Sequence, residues 1–350
     1  MAKSIVGVDI GAAAIRAVEV QDADRSKPLI TRFAEVPVPE GATRQGEVVE
    51  PNTVAAALRE LWSVGKFRSR DVVLGMGNQR VLSRDLTVPR APIAQIRESL
   101  PFQVQDMLPV PVGDAILDFY PTSEGIGESG PTVSGLLVAA VKDAVLANVR
   151  AVQTAGLRPV GVDLIPFALA RVLAPASATG TAAIVECGAN TTTVVVMSDG
   201  VPKFVRIIPT GGDDVTRLLA GQLEVPLPTA EAIKRHLGMD SSRAQTHDDA
   251  VAVGAVRETV SELLASLRNT VSYFVNTHPS EPVSQVLLVG GGAALAGFRD
   301  ALAEATRLPV VLGDPFTSVG LAKSIRGEDL RVHGPSIAVA WGLAAGGKAA

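Results

Sequence analysis

A chain of 350 residues with 47% apolar and 19% charged residues carries enough apolar side chains to bury a sizeable core, and its length suits two or more domains. A formal net charge of −4 argues against a nucleic-acid surface, and the longest uninterrupted apolar windows, such as 136–141, are far too short to span a bilayer. A single cysteine, Cys187, excludes an internal disulfide and suits a reducing compartment, while His236, His247, His278 and His333 are scattered without metal-ligand spacing.

No secretory leader is expected, because Ser4-Ile5-Val6 runs straight into an apolar stretch that Asp9 interrupts. Between Val6 and Val20 one apolar run ends in Asp9 and Gly11, and a second follows immediately, as two buried strands joined by a tight turn would read. Gly11 lets the turn press backbone N–H groups against an anion, and Asp9 at the strand end could hold a hydrated divalent cation beside it. Taken alone, the stretch fits a plain β-hairpin with an acidic tip equally well.

A third strand is expected over 29–36, then a turn at 37–41 and a helix capped by Asn52, with Val54, Leu58, Leu61 and Trp62 on one face. A strand at 71–76 completes a βββαβ order, half of a doubly wound α/β layer. The texture changes near Gln79. A strand over 81–88 precedes a helix marked by Ile93, Ile96, Leu100, Val104 and Leu108, which Pro101 should kink or divide. Strands at 115–120 and 133–141 are separated by a stretch, 123–130, that reads as flexible, and Asp143 is expected to cap a helix closed by Gly156. Residues 79–157 therefore read as an inserted βαββα unit. A strand over 160–165 and a helix over 167–173 return to the first half, and 175–180 reads as a hinge.

A second copy of the opening pattern decides between its two readings. Residues 181–197 repeat the layout of apolar strand, acid (Glu186), glycine (Gly188), small residues and apolar strand, and Gly11 and Gly188 lie 177 residues apart, about half the chain. Two similar halves, each offering an acid and a glycine turn, predict a ligand gripped between them. Gly211 and Gly212 open a further helix, Thr229 is expected to cap another that contains Glu231 and Lys234, and apolar positions from Val253 to Phe274 mark one long amphipathic helix. A buried strand over 285–289 runs into Gly290-Gly291-Gly292-Ala293, whose glycines would bring the backbone close to whatever fills the cleft. The last apolar helix, 336–343, is expected to cross back to the first half.

This ordered set resembles the actin-like ATPase superfamily, which implies an α/β fold of two duplicated RNase H-like halves with an inserted subdomain. The resemblance places Asp9, Gly11, Ala12, Ala13 and Arg16 in a first phosphate loop and Glu186, Gly188, Ala189, Asn190 and Thr191 in a second. Gly290, Gly291, Gly292 and Ala293 match the adenosine motif, with Gly211, Gly212, Glu231 and Lys234 completing the nucleotide contacts. ATP is the implied ligand, with Mg²⁺ held through water by Asp9 and Glu186, which are also the candidate catalytic acids. The expected division is 1–78, 79–157 and 158–178 in the first half, 179–211, 212–281 and 282–331 in the second, and 332–350 as a returning helix.

Within that superfamily the chain resembles the PilM family of type IV pilus assembly. The strings that carry the likeness are Ile93-Ala94-Gln95-Ile96-Arg97-Glu98, Met107-Leu108-Pro109-Val110-Pro111 with Leu117-Asp118-Phe119, Phe204-Val205-Arg206-Ile207-Ile208-Pro209-Thr210-Gly211-Gly212 and Gly313-Asp314-Pro315-Phe316. The resemblance implies a cytoplasmic ATP-binding adaptor that holds the N-terminal segment of a PilN-type inner-membrane protein in a groove between the first domain and the inserted unit; 100–108 and 160–167 are the candidate segments, with core packing the expected role of most of their residues. Three departures from the family pattern, Ala12-Ala13-Ala14 in place of hydroxyl residues, Arg16 in place of lysine and Glu186 in place of aspartate, predict nucleotide binding with slow hydrolysis at most. A small-molecule kinase would need a substrate pocket and a general base, for which the sequence offers no signature. A division protein of the FtsA type would normally end in a linker and a basic amphipathic helix, whereas the sequence stops at Gly346-Gly347-Lys348-Ala349-Ala350.

Overall fold

The computed structural model describes residues 4–25, 27–128, 130–173, 179–317 and 319–347, so most of the expected hinge lies outside the described residues. The first half opens with β1 (Ser4–Ile10), β2 (Ala14–Gln21) and β3 (Leu29–Pro37), an antiparallel meander. A small ribbon, β4 (Thr43–Arg44) and β5 (Glu47–Val48), leads to α1 (Pro51–Gly65) and then β6 (Asp71–Met76), which pairs parallel with β1. Helix α1 starts two residues earlier than Asn52 would allow as its cap, with Glu50 in that position. Pro51 takes the first position, where its missing N–H costs nothing and its fixed φ suits the helix.

The inserted unit comprises β7 (Val81–Pro89), α2 (Ile93–Gln103), β8 (Ala115–Gly127), β9 (Gly130–Val141) and α3 (Lys142–Thr154), with sheet order β7-β9-β8. Residues 123–128 and 130 are not the loose connection that their glycines and acids imply. Strands β8 and β9 pair out to Gly127 opposite Gly130, and the ribbon is tied to β7 by the Arg90–Glu124 ion pair at 3.1 Å and the Arg90 N–H on the Pro131 carbonyl at 2.9 Å. Helix α2 stops at Gln103 and passes into a single 3₁₀ turn, Gln105–Met107, because Pro101 removes a donor from its last turn. Asp143 lies in the first turn of α3, whose capping position is Val141.

Strand β10 (Arg158–Leu164) and α4 (Ile165–Leu173) complete the first half, and the second repeats its meander with β11 (Thr181–Cys187), β12 (Thr192–Ser198) and β13 (Val201–Ile208). It continues with α5 (Gly212–Gln222), α6 (Leu227–Leu237), α7 (His247–Thr277), β14 (Val283–Val289), α8 (Phe298–Thr306) and β15 (Val310–Leu312). Pro226, not Thr229, occupies the capping position of α6. Helix α7 begins six residues before its first expected apolar position, where Thr246 and Asp249 exchange side-chain and backbone hydrogen bonds at 3.1 and 3.0 Å.

Strand β16 (Gly320–Leu321) then crosses to the first sheet, giving the orders β10-β6-β1-β2-β3-β16 and β13-β12-β11-β14-β15. Helix α9 (Gly327–Ala345) lies between β1 and α4. That fit depends on two glycines: a Cβ on Gly7 would sit 2.0 Å from the Ala340 carbonyl oxygen, and one on Gly342 would sit 2.1 Å from that of Ala168. The core here is shared, since Val18, Val20 and Ile30 of the first sheet cluster with α4, α9 and with Ile184 and Val195 of the second. The two halves are therefore joined by packed apolar side chains as well as by the chain.

Candidate functional site

The two hairpins turn in the same way. The Gly11 N–H donates to the Ala14 carbonyl at 3.1 Å, and the Gly188 N–H donates to the Thr191 carbonyl at 2.9 Å. Each glycine amide thus closes its own turn. The next two N–H groups, of Ala12 and Ala13 and of Ala189 and Asn190, have no hydrogen-bond partner among the described residues. Both turns line one cavity of about 730 Å³ between the halves, and every candidate contact named from the sequence lines it too.

The remaining glycines divide by role. Gly290 has φ +87°, and a Cβ there would meet the Cys187 carbonyl oxygen at 2.5 Å; one on Gly292 would meet the Cys187 Sγ at 2.4 Å. These two let the β14 loop seat against the second hairpin, and only Gly291 faces open space. Gly211 is likewise a close approach, with its would-be Cβ 2.4 Å from the Ala189 carbonyl oxygen. The amides that open α5 are already engaged: Gly212 donates to the Gly188 carbonyl at 2.9 Å, Asp213 to that of Ala189 at 2.8 Å, and Gly211 to Asp214 Oδ2 at 2.9 Å. Helix α5 therefore holds the second turn in shape.

Two acids face the cavity from opposite halves. Burial raises the Asp9 carboxyl above its ordinary range, against the pull of Arg16. Burial, and then the Asp9 charge, push Glu186 up to about 8. Cys187 beside it is pushed by burial to about 11, so its thiol stays protonated and inert. Arg16 reaches Asp9 at 3.7 Å and Glu35 at 2.5 Å. On α6, Lys234 is 9% exposed and donates to the Gly212 carbonyl at 3.0 Å and to Thr216 Oγ1 at 2.8 Å, and it pairs with Glu231 at 2.5 Å. Burial opposes the charge on Glu231, but hydrogen bonds from Lys234, Thr216 and Arg235 outweigh it and hold the carboxyl below its usual range.

Glu35, Asn78, Asn148 and Asp213 also line the cavity, and sequence reading missed all four. Leu263, Leu295, Phe298 and Leu312 add apolar lining that spacing alone did not reveal.

Paired lobes of this topology, each with an acid-glycine hairpin aimed into one cleft and a glycine loop closing it, define the actin-like fold. Within that class, the family model described as type IV pilus assembly protein PilM matches residues 7–348, and the chain belongs to that family. The structure is similar to that of the PilM-PilN type IV pilus biogenesis complex, with a TM-score of 0.84, 28% identity and 97% of each chain covered. It shares its fold with the ethanolamine utilization protein EutJ from Carboxydothermus hydrogenoformans, with a TM-score of 0.58 and 19% identity over 99% of this chain and 90% of that one. Among curated proteins, the cell division protein FtsA of Neisseria meningitidis serogroup B is 25% identical over 242 residues, 63% of this chain. The match spans 58% of that relative's length. No helix among the described residues is long and apolar enough to cross a membrane.

Proposed function

We propose that the chain binds ATP in the cleft and serves as an adaptor of the type IV pilus assembly platform, docking a PilN-type membrane protein from the cytoplasmic side. The observation that carries the nucleotide reading is the facing pair of turns, whose unpartnered amides at Ala12, Ala13, Ala189 and Asn190 all line one cavity. Such amides are ready donors to phosphate oxygens. Its apolar lining residues suit an adenine ring, and Lys234 and Glu231 line the same cavity. Burial raises both Asp9 and Glu186, and the Asp9 charge raises Glu186 further, so a divalent cation held through water between them would relieve the pair, and the two carboxylates fit Mg²⁺. The ion's part is to neutralise charge on the phosphates.

Hydrolysis is expected to be slow, because Ala12, Ala13 and Ala14 give the first turn no hydroxyl to fix phosphate or metal. Titration calorimetry should find MgATP binding, with turnover far below the ~1–100 per second of kinases. Absence of binding would remove the nucleotide reading, and kinase-like turnover would remove the adaptor reading.

Docking is supported by the likeness to a structure that contains PilN and by the free edge of the first sheet. Strand β10 is that edge, with Val160 and Val162 41% and 42% exposed. Within 100–108, Leu100 and Val104 are core, and Phe102, 81% exposed, is the large apolar side chain open to a partner. An extended N-terminal peptide would add to β10 through main-chain hydrogen bonds and place alternate side chains on these apolar groups. Binding of a PilN-type N-terminal peptide should be lost in Val160→Asp/Val162→Asp with ATP affinity unchanged. Retained binding would move the groove elsewhere.

A further inference from the structure

The first hairpin turns through Ala12, Ala13 and Ala14 and offers no hydroxyl, so among its cavity-lining residues the side-chain donor is Arg16, and what orients Arg16 becomes decisive. The register of the meander puts Asp9 opposite Arg16 on β1 and β2, and Arg16 opposite Glu35 on β2 and β3. The three side chains form one row on the cavity side of the sheet, and all three line the cavity. Glu35 Oε2 accepts from Arg16 Nε at 2.5 Å. Nη1 then lies 3.7 Å from Asp9 Oδ2 and 3.6 Å from where a Cβ on Gly11 would stand, so the outer edge of the guanidinium sits over the phosphate turn.

A guanidinium presents its donors in a rigid fork, and fixing Nε fixes the direction of both Nη groups. We propose that Glu35 is a positioning residue for polyphosphate recognition, pinning Arg16 Nε so that the Nη edge faces the phosphates of the bound nucleotide. This rests on the nucleotide reading given above and deepens it. It also accounts for arginine at this position: a lysine has no Nε–H for Glu35 to hold and contributes only a point charge. The Glu35 side chain is 35% exposed, and an Arg16 left without it is itself 20% exposed and keeps Asp9 at 3.7 Å, so removing Glu35 strands no fully buried charge.

The test compares ATP, ADP and adenosine on the full chain by calorimetry. Glu35→Leu should weaken ATP roughly fivefold, the scale of one partly exposed ion pair, and leave adenosine unchanged. Glu35→Gln keeps an acceptor for Nε and should restore ATP affinity to that of the wild type. In an Arg16→Ala background Glu35→Leu should have no further effect. Equal loss for ATP and adenosine, no loss, or a Glu35→Leu effect that persists without Arg16 would each overturn the assignment while leaving the nucleotide reading intact. A wild-type chain that binds none of the three would instead overturn the nucleotide reading and this assignment with it.

Discussion

Glu19 is 1% exposed in the middle of β2, yet it is charged. Burial alone would raise its carboxyl, but the Ser69 amide, the Arg32 guanidinium, the Arg68 amide and the Thr31 hydroxyl donate to it and hold it below the ordinary range. A carboxyl depressed in the fold contributes stability above its unfolded value of 4.5, and that contribution is lost as pH falls through the folded value. Glu19→Ala leaves two amides without an acceptor and should cost about 3 kcal/mol, read as a lower urea midpoint at unchanged slope. Glu186 has the opposite sign. Raised from 4.5 to about 8, it favours the folded chain fully below pH 4.5, and that contribution is lost as pH rises through about 8. The stability of Glu186→Gln relative to the wild type should therefore climb between those values and level off above them; a flat difference would refute the shift.

At the scale of elements, the close seating of α9 is the most exacting contact. Gly7→Val would drive a side chain into the Ala340 carbonyl and should cost about 3 kcal/mol through overpacking, measured as a fall in melting temperature. Strand positions and the long helices were legible because their apolar periods are strong, as in β11, β12 and α7. Caps were not. Asn52 and Thr229 have the right chemistry, but a proline beside each sets the start of the helix. The β8–β9 tip was misread for a related reason: its glycines and acids lower local strand propensity, and the ladder to β7, formed at long range, overrides them.

Across the whole molecule, the inserted sheet closes against the second half at a point away from the cleft. Lys203 on β13 donates to the Thr122 carbonyl at 3.3 Å and lies 3.7 Å from Glu281, while Leu136 and Val205 pack in the shared core. Lys203→Met should speed amide exchange in β7 and β9 and leave α1 unchanged, because it cuts the tie to Thr122 across this contact, along with the Glu281 pair on the second half, and touches nothing on α1. On the proposed binding mode MgATP would touch both hairpins, and adding it should slow exchange in β1–β2 and β11–β12 together.

The sequence by itself determined the duplicated acid-glycine hairpins, the main strands and long helices, and the glycine turns that line the cleft, since period and turn chemistry are local properties that residues carry wherever they fold. Only the tertiary structure decided which glycines are close approaches and which is open, which amides remain free, and that Glu35 falls in line with Arg16 and Asp9. Those depend on strand register and on the seating of one half against the other, distances set between residues far apart in the chain.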